Sequence, residues 1–254
     1  MTPRALVAAV SLAAALAACD EKPSAAPPPA AGSAEVAPRL APSAATAAPK
    51  AEVAPSLEVD AQGVLVGGAR FDPSTPEGDA RLREAIARGK VASSASLFAA
   101  RAAKTRHVDA LVAALAAAGA TDVAIATPGR GSVTGPLHVA PASVVARTTP
   151  DCAAVAAVRK DGTTATWRIK GGVATRHAKG LAGPDLSTTL EALRVHIGAC
   201  SATTWFFGAD ESVPWGLAFD LGASVAFATP PTKATTTALL TDSPVAGRSV
   251  KLTP

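Results

Sequence analysis

The chain contains no tyrosine, one methionine, four histidines, three cysteines and three tryptophans among its 254 residues. Aromatic residues make up 4% of it and charged residues 17%. These shortages exclude several classes of chemistry. His107, His138, His177 and His196 stand apart, with no H-x-x-x-H or Cys/His spacing, so no metal site is expected and each reads as a surface or helix-flank histidine. A nucleic-acid groove needs a basic stripe with stacking aromatics. Here 24 Lys+Arg face 20 Asp+Glu for a formal net charge of +4, and the basic residues are scattered singly, so nucleic acid is not an expected partner. Long apolar runs are missing as well. The apolar fraction is 48% and the mean hydropathy +0.26, but alanine, the commonest residue, supplies much of both. No uninterrupted run reaches the roughly 18 apolar residues that a bilayer span needs, which excludes a multi-span membrane protein. No cofactor loop is present either. Gly129 and Gly131 lie between Pro128 and Val133 with no helix pattern behind them, and Ser143, Ser212 and Ser224 lack the G-x-S-x-G elbow of a hydrolase.

What is present begins with an address. Arg4 supplies a positive start, and Ala5 to Leu16 form an apolar stretch of signal-peptide length. Leu16-Ala17-Ala18-Cys19 then resembles the bacterial lipobox, in which small residues fit the peptidase and the cysteine thiol is diacylated and becomes the new N-terminus. An ordinary Ala-x-Ala cleavage site beside a coincident cysteine is the alternative. Residues 20–56 hold 13 alanines and 8 prolines with almost no large hydrophobe, so they cannot bury a core and are expected to be a disordered tether. In the oxidising compartment that export implies, Cys152 and Cys200 remain as an even pair. A disulfide between them is expected, with two buried thiols as the alternative.

Order is expected from Leu57. Leu57-Glu58-Val59, the turn Gln62-Gly63 and Val64-Leu65-Val66 read as a hairpin. Ser74-Thr75-Pro76-Glu77 opens a helix carrying Leu82 and Ile86 and stopped by Gly89. After a strand at Ser96 to Ala100, a helical stripe of Val108, Leu111, Val112 and Leu115 runs to Gly119, and Val123-Ala124-Ile125 closes the unit as a buried strand. The same order recurs beyond a connector at residues 128–151. Strands are expected at Ala154 to Val158 and at Ala165 to Ile169, with a further extended stretch after Gly171-Gly172. A helix carries Leu186, Leu190, Leu193 and Ile197, with Asp185 as its cap. A strand at Thr203 to Phe207, a helix at Pro214 to Leu221 and a strand at Val225 to Ala228 complete it. The fold class is therefore read as α+β, with modules at 57–127 and 152–228 and a C-terminal extension at 229–254. Each module is a mixed sheet with two helices on one face. The alignment that relates the two as a tandem repeat places Ala100-Arg101 on Ala209-Asp210.

Gly208-Ala209-Asp210-Glu211-Ser212-Val213-Pro214-Trp215-Gly216-Leu217, and the helix, turn and strand from Asp109 to Thr127, are similar to the periplasmic domain of the ExbD/TolR biopolymer-transport family. In that family a strand ending in Ala-Asp precedes a Val-Pro-aromatic-Gly loop and an amphipathic helix. The first module departs from the pattern, with Arg101 and Lys104-Thr105 in the loop. The family's transmembrane helix, with its proton-carrying acid, is replaced here by the lipobox and tether. The resemblance implies an envelope-side domain that self-associates or engages partners through sheet edges, and it marks Asp210, Val213, Pro214 and Trp215 as candidate partner contacts.

Other readings stay modest. Asp210 with Glu211 reads as a solvated loop and not an acid/base pair. Trp205, Phe206 and Phe207 read as core on both faces of a strand. Trp215, at a turn-to-helix junction beside Pro214, leaves open a partly exposed contact anchor as the alternative to a structural ring. The expected function is that of a non-catalytic envelope lipoprotein, held to a membrane through Cys19 and facing the periplasm. It would bind a protein partner, a second copy or the cell wall, as an accessory to proton-driven biopolymer transport, without cofactor or metal. The alternative is an exported hydrolase acting on wall or ester substrates.

Overall fold

Turn residues set the first strands. Strand β1 (Leu57–Asp60) pairs antiparallel with β2 (Gly63–Val66), placing Val59 opposite Val64, and Asp60 Oδ1 closes the turn by accepting from the Gln62 and Gly63 amides at 2.8 and 3.1 Å. Gly67 and Gly68, with φ of 56° and 87°, then make the left-handed two-residue connection that suits a hairpin. They add a third strand, β3 (Ala69–Phe71), which the hydrophobic pattern does not announce. Helix α1 (Pro76–Arg88) is capped by Thr75, whose hydroxyl accepts from the Gly78 amide at 3.1 Å, and not by Ser74. Strand β4 (Ser94–Ala99), helix α2 (Thr105–Ala117) and strand β5 (Asp122–Ala126) follow, and Val108, Leu111, Val112 and Leu115 are all buried as their spacing predicts.

The stretch expected as a connector supplies strand β6 (Leu137–Pro141) and the short helix α3 (Ala142–Val145). Strands β7 (Cys152–Val158), β8 (Thr163–Lys170) and β9 (Val173–Leu181) come next, with Gly171-Gly172 repeating the positive-φ hairpin turn at 58° and 74°. Helix α4 (Ser187–Gly198), strand β10 (Thr204–Ala209), helix α5 (Trp215–Ala226) and strand β11 (Thr236–Leu239) complete the chain order. The computed structural model describes residues 56–130, 135–145, 152–181, 186–200, 204–228, 236–240, 245 and 248. They belong to one compact unit, Glu52–Pro254. The expected signal segment, Cys19, the tether up to residue 55 and the Asp185 cap lie outside the described residues.

The eleven strands form one sheet in the order β3-β2-β1-β4-β5-β6-β11-β10-β7-β8-β9. This overturns the expectation of two separate small modules, each with its own sheet and two helices. The cause is β6, which pairs antiparallel with β5 and parallel with β11 and so joins what would have been two sheet edges. Within that single sheet the order βββαβαβ occurs twice, β1 to β5 and β7 to β11. The register between the halves also differs by a single position from the expected one. Ser94, which opens β4, corresponds to Thr204, which opens β10. Thr105, which opens α2, corresponds to Trp215, which opens α5, and Lys104 therefore corresponds to Pro214.

Two clusters make the core. Helices α1, α2, α4 and α5 share one continuous cluster, running from Val59, Leu82 and Leu111 to Trp205, Phe207 and Phe219. On the opposite face Trp167, Ile169, Val155, Phe206 and Leu240 form a second cluster. The Trp205-Phe206-Phe207 run is buried on both faces, as its alternation requires. Helix α5 continues past Leu221, so Val225 is a buried helical residue and not the start of a strand. The last strand instead comes from the expected C-terminal extension.

Candidate functional site

A helix N-terminus presents amides with no partner inside the helix, and α2 and α5 both begin without a side-chain cap. Each solves the problem with the other's loop. The Thr105 amide donates to the Val213 carbonyl at 2.9 Å, and the Trp215 amide donates to the Ala103 carbonyl at 2.7 Å. These are corresponding atoms in the two halves, and Lys104 and Pro214 form the antiparallel bridge between them. The Thr105 hydroxyl adds a second bond to the Val213 carbonyl at 2.8 Å. Around this reciprocal cap, Arg101 grips Asp220 in a fork at 2.9 and 2.5 Å and donates to the Gly216 and Pro128 carbonyls at 3.0 Å each. Both partners are mostly buried, at 21% and 14% exposure.

Three of the four expected partner contacts, Val213, Pro214 and Trp215, fall in this junction, and Asp210 begins the same loop but faces the turn between β7 and β8. Val213 is buried and Trp215 fully so, with its indole N–H donating to Thr127 Oγ1 at 2.9 Å and its ring 6.4 Å from that of Phe207. A partly exposed Trp215 is thus not found: its ring is buried against Phe207 of the same half, while its backbone amide and indole N–H bond Ala103 and Thr127 of the first half and so tie the two halves together. Pro214 is exposed beside it. Asp210 Oδ2 accepts the Lys160 amide at 2.5 Å and lies 3.6 Å from Arg159, whereas Glu211 is 3.6 Å from Arg106. The adjacent carboxylates therefore serve different cations.

Two of the histidines read as surface or helix-flank, His107 on α2 and His196 on α4, are buried. His107 lies one position before Val108, on the edge of the α2 stripe, and that register is the signal by which its burial was readable. Its Nε2 is 3.2 Å from Ser74 Oγ and 3.7 Å from Asp72 Oδ1, and its Nδ1 is 3.5 Å from the Asp60 carbonyl. Desolvation is the main cause holding the imidazole below its ordinary pKa of 6.5, so it stays neutral. Asp72 is held below the ordinary carboxyl range, chiefly by the hydrogen bond from the Ser74 amide. A hydroxyl beside a neutral imidazole has the form of a nucleophile and base. Here an ionised Asp72 adjoins the same hydroxyl, where it would repel a developing oxyanion, and the ring is 1% exposed. The arrangement pins the loop before α1 to α2. His138 is exposed and pairs with Asp122 at 3.0 Å.

No family model, curated protein or solved structure matches the chain. Among the described residues no group of three His, Cys, Asp or Glu is arranged to hold a metal ion, and no helix is long and apolar enough to cross a membrane. Cys152 and Cys200 form a disulfide with a Cα separation of 5.5 Å, which ties the start of β7 to the end of α4.

Proposed function

We propose that the chain is a lipid-anchored protein of the bacterial cell envelope, facing the periplasm, that acts by binding a partner and not by catalysis. The observation that carries the reading is Leu16-Ala17-Ala18-Cys19 placed directly before the Pro/Ala-rich residues 20–56. The Cys152–Cys200 disulfide supports it, since such bonds persist in oxidising compartments. The loop chemistry supports a binding role. Arg101, Arg106, Arg159 and Asp210 are engaged in holding the body together, and the buried Ser74–His107 contact serves as a pin. The similarity of residues 208–217 to the ExbD/TolR loop supports an accessory place beside energy-coupled biopolymer transport.

Affinity capture with the full-length protein from detergent-solubilised envelopes, combined with turnover assays on wall fragments and esters, tests this. Retention of an envelope protein complex with no turnover is expected. Hydrolysis that disappears on a single Asp or Ser substitution would overturn the reading.

A further inference from the structure

The two ends of the sheet are topological counterparts, and they differ. At one end β3 is three residues long, and its Arg70 is held by Asp60 in a two-pronged ion pair at 2.6 and 2.8 Å. Short, internally neutralised edges of this kind resist pairing with other chains. At the other end β9 is nine residues long and is the last strand in the order, paired only with β8 among the described residues. One flank of β9 therefore presents backbone N–H and C=O groups along an extended strand.

The charge on this edge is of one sign. Strands β8 and β9 carry Arg168, Lys170, Arg176 and Lys179, and no acidic residue occurs from position 162 to position 184. In the linear sequence these residues look scattered. The register gathers them into one two-stranded ribbon, Arg168 and Lys170 at positions of one face, opposite Thr175 and Val173, and Arg176 and Lys179 at positions of the other, opposite Trp167 and Ala165. Elsewhere in the body Arg70, Arg101, Arg106 and Arg159 each have a carboxylate of the same chain at 2.5–3.6 Å. Neither Arg168 nor Lys170 has one among the described residues, and Arg168 Nε is buried without a hydrogen-bond partner. Lys170, Val173 and Thr175 near the turn of the hairpin are exposed.

We propose that the outer edge of the β8–β9 hairpin is a docking edge for an extended, acidic polypeptide segment, which adds against β9 as a further strand. The backbone groups of β9 supply the ladder, and the basic charge of the hairpin chooses the partner. The same charge disfavours a second copy pairing edge to edge, because that would set one basic strand against another. The bulge at His177, where β8 residues 166 and 167 face 178 and 176, confines regular pairing to Val173–Arg176 and to the stretch beyond it. The inference rests on the binding-protein reading and gives it a surface and a partner class.

The test uses the full-length protein in detergent and fluorescent peptides of about ten residues, the span of a long strand. One alternates threonine with glutamate, one threonine with lysine, and one carries proline at every second threonine of the acidic sequence. Binding of the acidic peptide is expected, weakened by salt, absent for the lysine peptide and lost for the proline peptide, whose backbone cannot complete a ladder. The double variant Lys170→Glu/Lys179→Glu, checked for native circular dichroism, is expected to lower affinity about tenfold or more. Equal binding of acidic and lysine peptides, unchanged binding by the double variant, or retention of the proline peptide would each overturn the proposal. So would binding of the Cys19→Ser protein to phosphatidylglycerol vesicles, lost in the double variant, without binding to the acidic peptide, which would make the edge a lipid contact. Mass analysis at Cys19 and turnover assays on the same preparation keep the two readings apart: an acylated, inactive protein that ignores the acidic peptide removes the docking edge alone.

Discussion

Arg101 and Asp220 lie 119 positions apart and meet in a two-pronged ion pair beside the reciprocal cap. Arg101→Ala leaves Asp220 without its partner in a mostly buried setting and frees two backbone carbonyls. It is expected to cost about 2–3 kcal/mol in urea unfolding. Asp220→Ala should cost nearly as much, and the double variant less than the sum, because the two changes remove one interaction. Strict additivity would show that the pair contributes nothing. His107 gives a different signature. Its folded pKa lies below the ordinary 6.5, so on acidification the unfolded chain takes up the proton first. Its contribution is complete above about pH 6.5 and declines as pH falls through that value toward the folded pKa. Between about pH 7 and pH 5 the wild type should lose more stability than His107→Gln, measured by denaturant midpoints. Parallel curves would mean that the imidazole is not held neutral by burial.

The helices α2 and α5 show what capping by a neighbour implies. Proline at the first helical position is normally tolerated, since that amide is unpaired within the helix. Here the Thr105 amide bonds to Val213 at 2.9 Å, and Lys104 already has the extended backbone, φ −74° and ψ 138°, that a following proline requires. Thr105→Val removes the hydroxyl alone, and Thr105→Pro removes hydroxyl and amide. The proline variant should be the less stable by about 1 kcal/mol, measured by thermal unfolding. Equal stability would show that the loop-to-loop bonds are incidental. Legibility differs by element for related reasons. The α2 stripe of Val108, Leu111, Val112 and Leu115 was readable because 3.6-residue periodicity is local. Strands β6 and β11 were not, because each is short, lies in a Pro- or Thr-rich stretch and is fixed as a strand by its neighbours on both sides, β5 and β11 for β6 and β6 and β10 for β11. Val225 to Ala228 reads as a strand in the sequence, and packing of Val225 in the helical core keeps it in α5.

At the scale of the whole body, one sheet and one continuous core across both halves predict one cooperative unfolding event. All three tryptophans lie in the second half, at positions 167, 205 and 215, so their fluorescence follows that half while far-ultraviolet circular dichroism follows both. The two signals should give the same midpoint in urea, and separate midpoints would restore two independent modules. The candidate contacts Asp210, Val213, Pro214 and Trp215 were visible in the sequence as a motif. That Val213, Pro214 and Trp215 meet the chain's own first half was not, since the contact joins the loop before α5 to the distant loop before α2, while Asp210 turns to Arg159 and Lys160 of its own half. The charge of the β8–β9 hairpin was hidden for a related reason, because four singly spaced basic residues become one ribbon's charge only when the two strands pair. The central claim is that this body hangs from a membrane by an acylated cysteine. Intact-mass analysis of the protein extracted from envelopes of its own cells tests it most directly. The account predicts a chain that begins at Cys19 and carries diacylglyceryl and acyl groups, and that leaves the membrane fraction when Cys19 is changed to serine. A chain that keeps residues before Cys19, or begins there with an unmodified thiol, would contradict it.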